Sequence, residues 1–325
     1  MKFNKSYRLL YMFHKLIRGN SIVKKELSGY FSVDEKTIQR DINELRAFLY
    51  EGNPVWGNNA IHYDHRSCSY RLIKQEDYFF TEEEALALAK ILLDSRAFNI
   101  DEMNQILNKL LLHIDPSQRS CLKKAILNES YHYIGPQHGK YLLSLLWHLN
   151  LNIQEQNIIR ITYCRMDGTI HDWELEPLGL IFSEFYFYLI AQIHNGQYES
   201  PAIYRIDRIQ NFLESGQHFS VPYTERFQEG GFRKRIQFMY GGELLRIKFA
   251  FWGSSLEAIL DRLPTARIIG QDGNKTILEA EVYGEGIKMW FLSQAQHLEV
   301  LKPEQFRQDI KRTIGEMANI YTTAL

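Results

Sequence analysis

The sequence predicts a multidomain α+β protein of two or three folding units. Its 325 residues exceed the usual length of one domain. With 45% hydrophobic and 24% charged residues, the chain has the composition of a globular protein that buries a sizeable core. Helical spacing of apolar residues dominates the first half, and alternating strand patterns take over at Ile158.

The composition also indicates a compartment. The three cysteines, Cys68, Cys121 and Cys164, are far apart and match no metal-ligand spacing, which favours a reducing environment. Charged residues interrupt the first 20 positions, so we expect no secretory segment, and no run approaches the ~20 apolar residues of a membrane span. We therefore expect a cytoplasmic protein without a membrane anchor.

Charge is distributed unevenly along the chain. Residues 1–75 carry 13 Lys and Arg against 7 Asp and Glu, a net charge of +6, so the remainder of this chain of net charge -1 carries -7. A basic head on an acidic body is typical of a protein that contacts nucleic acid at one end. Chance unevenness is the alternative.

Three helices are predicted at the N-terminus. Apolar residues recur at helical spacing from Asn4 to Arg18. We expect Ser21 to cap a second, short helix that ends near Gly29. A third helix is expected to begin at Ser32, where Ser32 and Glu35 have the spacing of a capping box.

The third helix carries the sharpest functional signal. One of its faces is apolar, at Ile38, Ile42, Leu45 and Leu49. A rotation of about 100° per residue then turns polar side chains to the opposite face. Arginine suits guanine, and asparagine or glutamine suits adenine, in the major groove of DNA. We predict that this face contacts DNA through Lys36, Thr37, Gln39, Arg40 and Asn43; an ordinary solvated face is the alternative.

The remaining organisation follows from strand and turn signals. Asn58-Asn59, Ile61, Tyr63 and 69–73 indicate a two-stranded wing, so 1–75 is predicted to be a winged helix-turn-helix DNA-binding domain. Residues 76–156 are predicted to form a helical connector for dimerisation, opened by a capping box at Thr81–Glu84. An antiparallel β domain over 157–221, with a strand at Tyr204–Ile209, a linker over 222–240 and an α+β domain over 241–325 follow.

Several motifs resemble one family. The segment 33–45 resembles the recognition helix of winged-helix regulators that precede a WYL domain. Phe187-Tyr188-Leu189 stands where that family has its Trp-Tyr-Leu signature, and 204–209 resembles its closing strand. In the last domain, 289–293 and 299–303 resemble the family's C-terminal extension. The resemblance covers nearly the whole chain, although the helical segment 81–156 matches by pattern only. Phe187 departs from it by replacing a tryptophan and its N–H donor.

The resemblance implies an SH3-like or Sm-like sheet whose pocket senses a ligand, often a nucleotide or a nucleic acid. It assigns ligand binding to Tyr163, Tyr188, Arg205 and Arg208. Arginine can bind phosphate with two parallel hydrogen bonds, and tyrosine offers a stacking surface. Packing tyrosines and a salt bridge to Asp207 are the alternatives. Strand alternation also places Arg205 and Arg208 on opposite faces unless the strand breaks.

Catalytic and metal-binding signals are weak. His62, Asp64 and His65 lie together, but in a wing we expect them to face solvent or phosphate rather than a metal ion. No nucleophile elbow, phosphate-binding loop or zinc-protease motif occurs in the sequence. We expect no cofactor, no metal and no enzymatic activity.

The predicted function is that of a ligand-responsive transcriptional regulator. It would bind a double-stranded DNA operator as a homodimer, and a nucleotide or single-stranded nucleic acid would act on the β domain. Two alternatives remain open at this point. One is an enzyme that processes nucleic acids or nucleotides, and the other is an accessory protein that binds nucleic acid without regulating genes.

Overall fold

The chain divides into two compact units, Met1–Gly139 and Lys140–Leu325. Their fold is that of a computed structural model, which describes residues 4–50, 60–65, 67–73, 80–114, 117–196 and 201–322. Both units combine helices with antiparallel strands, and this confirms the predicted multidomain α+β class. No helix in the described ranges is both long and apolar enough to cross a membrane.

The first unit begins with three helices and a hairpin. These are α1 (Lys5–Ile17), α2 (Lys24–Phe31), α3 (Glu35–Tyr50), β1 (Ala60–Asp64) and β2 (Ser69–Ile73). The apolar stripe of α3 is buried as predicted and shares a core with α1 through Met12, Leu16, Ile38, Ile42, Leu45 and Leu49. Burial of this stripe is what turns the polar side of α3 outward.

The predicted start of α3 is wrong by three residues. The side chain of Asp34, not that of Ser32, accepts the backbone N–H of Thr37, at 2.6 Å. Ser32 instead ends α2 in the left-handed conformation, with φ of 53°. The sequence has the spacing of a capping box, but Ser32 is the C-terminal cap of α2 and therefore cannot also be the N-terminal cap of α3.

The predicted cap of α2 is also wrong. The helix begins at Lys24 after Val23, which makes no side-chain capping hydrogen bond. The preceding residue, Ile22, exchanges two backbone hydrogen bonds with Tyr70 of β2, at 2.9 and 2.8 Å. This pairing draws the chain into the wing, so Ser21 lies outside the capping position.

The wing is the antiparallel pair of β1 and β2. His62 lies opposite Arg71, and Tyr63 lies opposite Tyr70. The two strands confirm the predicted hairpin, while the turn expected at Asn58-Asn59 lies outside the described residues. Together with the Ile22 bridge, the hairpin makes a small ladder beside α3.

Three further helices follow in the first unit: α4 (Glu82–Ser95), α5 (Ile100–Leu112) and α6 (Arg119–Tyr131). The predicted capping box of α4 is confirmed. The amide of Glu84 donates to the Thr81 hydroxyl at 3.2 Å, and the amide of Thr81 donates to the Glu84 carboxylate at 2.9 Å. Both groups at the helix start are thereby satisfied reciprocally.

The second unit opens with α7 (Leu143–Glu155), which packs on a five-stranded sheet. Its strands are β3 (Asn157–Cys164), β4 (Ile170–Ser183), β5 (Tyr186–Ile193), β6 (Ala202–Arg205) and β7 (Ile209–His218). Every neighbouring pair is antiparallel, in the order β6-β5-β4-β3-β7. Leu149 of α7 shares a core with Ile159 and Ile161 of β3. The result is the small antiparallel β domain that the sequence predicts.

One predicted strand is broken in two. The sequence suggests a continuous strand at Tyr204–Ile209, but β6 ends at Arg205 and a 3₁₀ turn occupies Ile206–Arg208. The physical reason is topological, because β6 and β7 are the two edge strands of the sheet. The chain must bend sharply to leave one edge and reach the other.

The segment 222–240, predicted as a linker, packs on the sheet. It contains a short helix, α8 (Glu229–Arg233), and buries Ile236 and Met239 against Ile181 and Ile190. The Glu229 carboxylate also accepts the backbone N–H of Leu180 at 2.9 Å.

The C-terminal domain alternates strands and helices as predicted. It comprises β8 (Leu244–Phe251), α9 (Leu256–Arg262), β9 (Arg267–Asp272), β10 (Lys275–Tyr283), α10 (Gly284–Ser293), β11 (Leu298–Lys302) and α11 (Glu304–Thr322). The antiparallel sheet has the order β11-β8-β10-β9. Up to β11, this is the βαββαβ arrangement of ferredoxin-like folds. Its core contains Phe249, Phe291 and Phe306.

Two glycines of this domain predict opposite responses to alanine. A Cβ at Gly286 would lie 1.8 Å from the carbonyl oxygen of Gln237, whereas a Cβ at Gly315 would meet nothing within 4 Å. We expect Gly286→Ala to destabilise the fold by about 1–3 kcal/mol through overpacking. Gly315→Ala should stabilise it by up to about 1 kcal/mol, because alanine favours helix. Urea unfolding measures both, and equal midpoints would contradict the assigned contact.

Candidate functional sites

The first candidate site is the outward face of α3. Lys36, Arg40 and Asn43 are exposed, and Thr37 and Gln39 beside them are half-buried. The structure therefore brings all five predicted DNA-contacting side chains to one side of the helix. Long donors side by side on an exposed helix suit the major groove, which admits one α-helix.

A buried ion pair holds this helix in place. The Nε of Arg8 on α1 donates to Oδ2 of Asp41 on α3 at 2.7 Å, with side-chain exposures of 10% and 2%. Removing one partner of such a pair costs several kcal/mol, because the other charge is left buried and unpaired. Asp41 was not singled out in the sequence, since its neighbours Arg40 and Asn43 suggest a polar stretch.

A hydrogen-bond chain joins α3 to the wing. The hydroxyl of Tyr70 donates to Oε1 of Gln39 at 2.6 Å, and Nε2 of Gln39 donates to Oδ1 of Asn43 at 3.1 Å. The Nε of Arg46 also donates to the backbone oxygen of Ile61 at 2.9 Å. These contacts fix the wing against the C-terminal half of the recognition face.

Thr37 has a different environment from its neighbours. Its hydroxyl and its amide both hydrogen-bond to the carboxylate of Asp34, and the two contacts lower the pKa of Asp34. The hydroxyl contact is the larger of the two. Thr37 therefore belongs to the start of the helix as much as to the polar face.

Two cations beside this face were not predicted from the sequence. Lys24 and Arg46 lie over the Tyr70 ring, at 5.9 and 5.4 Å from its centroid. His62 and Arg71 are exposed as opposite partners on the wing. Strand alternation in 60–64 and 69–73 could have indicated that pair, but the cations over Tyr70 come from separate elements.

The second candidate site lies on the β domain, where all four predicted ligand residues meet. Tyr188 of β5 is the register partner of Arg205 on β6. The hydroxyl of Tyr163 on β3 accepts the backbone N–H of Arg205 at 3.1 Å and is hydrogen-bonded to the side chain of Arg208. Arg205 reaches Tyr163 through its backbone, whereas Arg208 reaches it through its side chain, after the 3₁₀ turn that follows β6.

Arg205 is already engaged inside the protein. Its Nε and Nη2 donate to the two carboxylate oxygens of Asp207, at 3.1 and 2.7 Å. Its guanidinium also lies 3.4 Å from the ring centroid of Tyr186, a residue that the sequence analysis did not assign. Burial alone lowers the pKa of Arg205, but the hydrogen bond and charge of Asp207 outweigh it, and the pKa is raised. Arg205 is thus a fixed cation with a compensating carboxylate.

Arg208 differs from Arg205 in its pairing. Within the described ranges it has no ion-pair partner, and its side chain is half-buried beside Tyr163. Of the two arginines, Arg208 is therefore the one whose charge is available to an anion.

Phe187 lies on the opposite side of β5 from Tyr186 and Tyr188. It packs beside the core under α7, and its ring centroid is 5.0 Å from that of Phe182. The substitution for tryptophan therefore lies in the core that also contains Tyr163, on the side of β5 away from the rings of Tyr186 and Tyr188.

The residues considered for a metal site make other contacts. Asp64 accepts a hydrogen bond from Ser67 at 2.6 Å, and the rings of Tyr63 and His65 meet edge to face at 4.9 Å. Across the described residues, no group of three or more His, Cys, Asp or Glu side chains could hold a metal ion.

Burial of the tyrosines predicts a pH dependence. Burial raises the pKa of Tyr188 and of Tyr204 to about 12, and it raises that of Tyr163. Unfolded tyrosine ionises near pH 10. The free energy that the buried, neutral tyrosines contribute to folding is therefore complete below about pH 10 and is lost as pH rises toward 12. Urea midpoints between pH 8 and 12, followed by tryptophan fluorescence, should fall in that window. Tyr188→Phe should flatten the fall, whereas Tyr223→Phe, at an 86% exposed position, should leave it unchanged.

Comparison with known proteins identifies two domains. The model of the WYL domain matches residues 145–212, and the model of the WCX domain matches residues 243–318. No curated protein matches the chain. Among solved structures, proteasome accessory factor B/C of Arthrobacter aurescens is similar at 15% identity, with a TM-score of 0.31, over 99% of this chain and 50% of that one.

This chain thus spans half the length of that structure. A CRISPR Cas-related protein is similar at 14% identity and a TM-score of 0.38, over 88% of this chain and 73% of that one. The elements of this chain run from helices and a wing through a small sheet to a ferredoxin-like domain, and the two domain matches fall on the last two. The chain carries a WYL domain followed by a WCX domain, a combination typical of WYL-domain transcriptional regulators.

Proposed function

We propose that this protein is a DNA-binding transcriptional regulator of the cytoplasm. The observation that carries the proposal is the polar face of α3, which presents Lys36, Gln39, Arg40 and Asn43 together. The buried ion pair between Arg8 and Asp41 holds this helix in place. The basic character of residues 1–75 supports it, since positive charge draws a protein to phosphate. The WYL and WCX domains add the typical context of such a regulator.

We further propose that the β domain senses an anionic effector, a nucleotide or a short single-stranded nucleic acid. The support is the cluster of the half-buried Tyr186 and Tyr188 rings with Arg208, a cation without an ion-pair partner among the described residues. Tyr163, which is buried, contributes its hydroxyl to Arg208. Rings stack on any base, and a cation attracts phosphate. Effector binding would favour one arrangement of the DNA-binding units over another.

We propose a homodimer as the active species. Twofold protein symmetry would match a palindromic operator with two half-sites. Light scattering at micromolar concentration tests this, and a strictly monomeric mass in the presence of operator would overturn it.

We propose binding without catalysis. The carboxylate of the cluster, that of Asp207, accepts hydrogen bonds from Nε and Nη2 of Arg205, and its side chain is 5% exposed. It is therefore poorly placed to activate a water molecule. A nuclease and phosphodiesterase assay with divalent metal tests this. Selection of bound sequences from random DNA separates a regulator from an accessory protein, since only the regulator enriches a defined site.

Arg40→Ala should weaken binding to the selected operator. Loss of one good base contact costs on the order of 1–3 kcal/mol, and the exposed side chain makes no core contact that folding needs. Gel-shift titration measures the effect. Arg267→Ala, an exposed position of the C-terminal domain, is the matched control and should bind as tightly as the unchanged protein. Equal affinity of the Arg40 variant would refute the assigned face.

Arg208→Ala should weaken effector binding and leave basal operator binding intact. A single-stranded oligonucleotide serves as the probe, and we expect its affinity to fall and its salt dependence to decrease by about one charge. Arg160→Ala is the control, because Arg160 lies in the same sheet but is paired with Glu174 at 2.8 Å. Unchanged oligonucleotide binding by the Arg208 variant would place the effector site elsewhere.

A further inference from the structure

Tyr70 lies between the wing and the recognition helix. Its side chain is 5% exposed, and two backbone hydrogen bonds to Ile22 fix its strand position. Lys24 and Arg46 lie over its ring. The hydroxyl therefore has little freedom, and it donates to Oε1 of Gln39 at 2.6 Å.

This contact decides which way the amide of Gln39 faces. Its oxygen is turned toward the half-buried junction with the wing, and one hydrogen of its Nε2 is directed at Oδ1 of Asn43. The second Nε2 hydrogen is left for the solvent side. Because the bidentate contact of glutamine with adenine needs the amide oxygen and nitrogen toward one base, the orientation set by Tyr70 removes that contact.

Asn43 is oriented by the same chain of hydrogen bonds. Its Oδ1 accepts from Gln39, so the exposed side of its amide offers the Nδ2 donors. The carboxylate of Glu44 is paired with Lys5 at 2.6 Å, and that of Asp34 accepts from Thr37 and interacts with Lys36 and Arg40. Lys36 and Arg40 contribute only donors. The free polar hydrogens of Lys36, Gln39, Arg40 and Asn43 are thus all N–H donors.

Resting on the proposed function, we propose that Tyr70 is a positioning residue that makes the α3 face a reader of acceptor edges, and that its operator half-site presents guanine under Gln39. Guanine shows two adjacent acceptors, O6 and N7, in the major groove, whereas adenine shows one acceptor and one donor. A face of donors favours the former. From the sequence alone, Asn and Gln are expected to suit adenine. At Gln39 of this protein the expected base is guanine instead.

The test uses the full chain and double-stranded DNA selected from a random pool. The base pair under Gln39 is identified as the position whose preference is lost in Gln39→Ala. All four base pairs are then compared there by competition. We expect the unchanged protein to prefer guanine over adenine by roughly tenfold, the scale of one good base contact.

Tyr70→Phe keeps the ring and removes the hydroxyl. It should release Oε1 of Gln39 and bring guanine and adenine to within roughly twofold, because the bidentate adenine contact becomes possible. Tyr63→Phe is the matched control. Tyr63 lies opposite Tyr70 on the same hairpin, but its hydroxyl is hydrogen-bonded to Cys68, so this variant should keep the original preference.

Gln39→Glu supplies a second, independent readout. A carboxylate can still accept from Tyr70 but no longer donates, so the preferred base at that position should change to cytosine, whose amino group donates. If Tyr70→Phe loses all DNA binding, the Gln39→Glu variant provides the test instead. A change of its preferred base to cytosine supports the proposal, and a retained preference for guanine overturns it.

The failures of the two proposals are distinguishable. An adenine preference in the unchanged protein, or an unaltered ratio in Tyr70→Phe, overturns the role of Tyr70 while specific binding persists and the regulator function stands. If the unchanged protein enriches no sequence at all, the proposed function fails, and the inference fails with it.

Discussion

The proposed DNA-binding domain depends on one buried ion pair, that between Arg8 and Asp41. Two charges removed from water are tolerated only when each satisfies the other, so this contact admits one rotation of α3 against α1. With Asp41 fixed inward, the neighbouring Arg40 must point to solvent, and the hydrogen-bond chain from Tyr70 then orients Gln39 and Asn43.

The cations of the β domain have a different environment from the exposed cations of α3. Arg205 is stacked on Tyr186 and neutralised by Asp207, so it is a structural part of the pocket wall. Arg208, three residues later, shares Tyr163 with it but has no carboxylate among the described residues. The proposed effector site is therefore a preformed aromatic wall with one available cation, and the 3₁₀ turn between the edge strands creates it.

Periodicity predicted most elements because burial of one face leaves a clear trace in the sequence. The stripe of α3, the hairpin of the wing and the alternating strands and helices after residue 241 all match the structure. Local capping rules were less reliable. Ser32 and Ser21 had suitable spacing, but the left-handed turn after α2 and the bridge of Ile22 to Tyr70 placed them elsewhere. Long-range contacts overrode short-range preferences at both positions.

The sequence by itself determined the class of fold, the order of its elements and the side chains of the polar face of α3, because these follow from spacing along a single helix or strand. Only the tertiary structure decided how those side chains are used. It pairs Arg205 with Asp207, gives Arg208 no carboxylate among the described residues, buries Asp41 and turns the amide of Gln39 toward Tyr70. Such choices depend on partners 31 or 33 residues away in the chain, or on where a strand breaks, and hydrogen-bond geometry across that separation has no signature in local sequence.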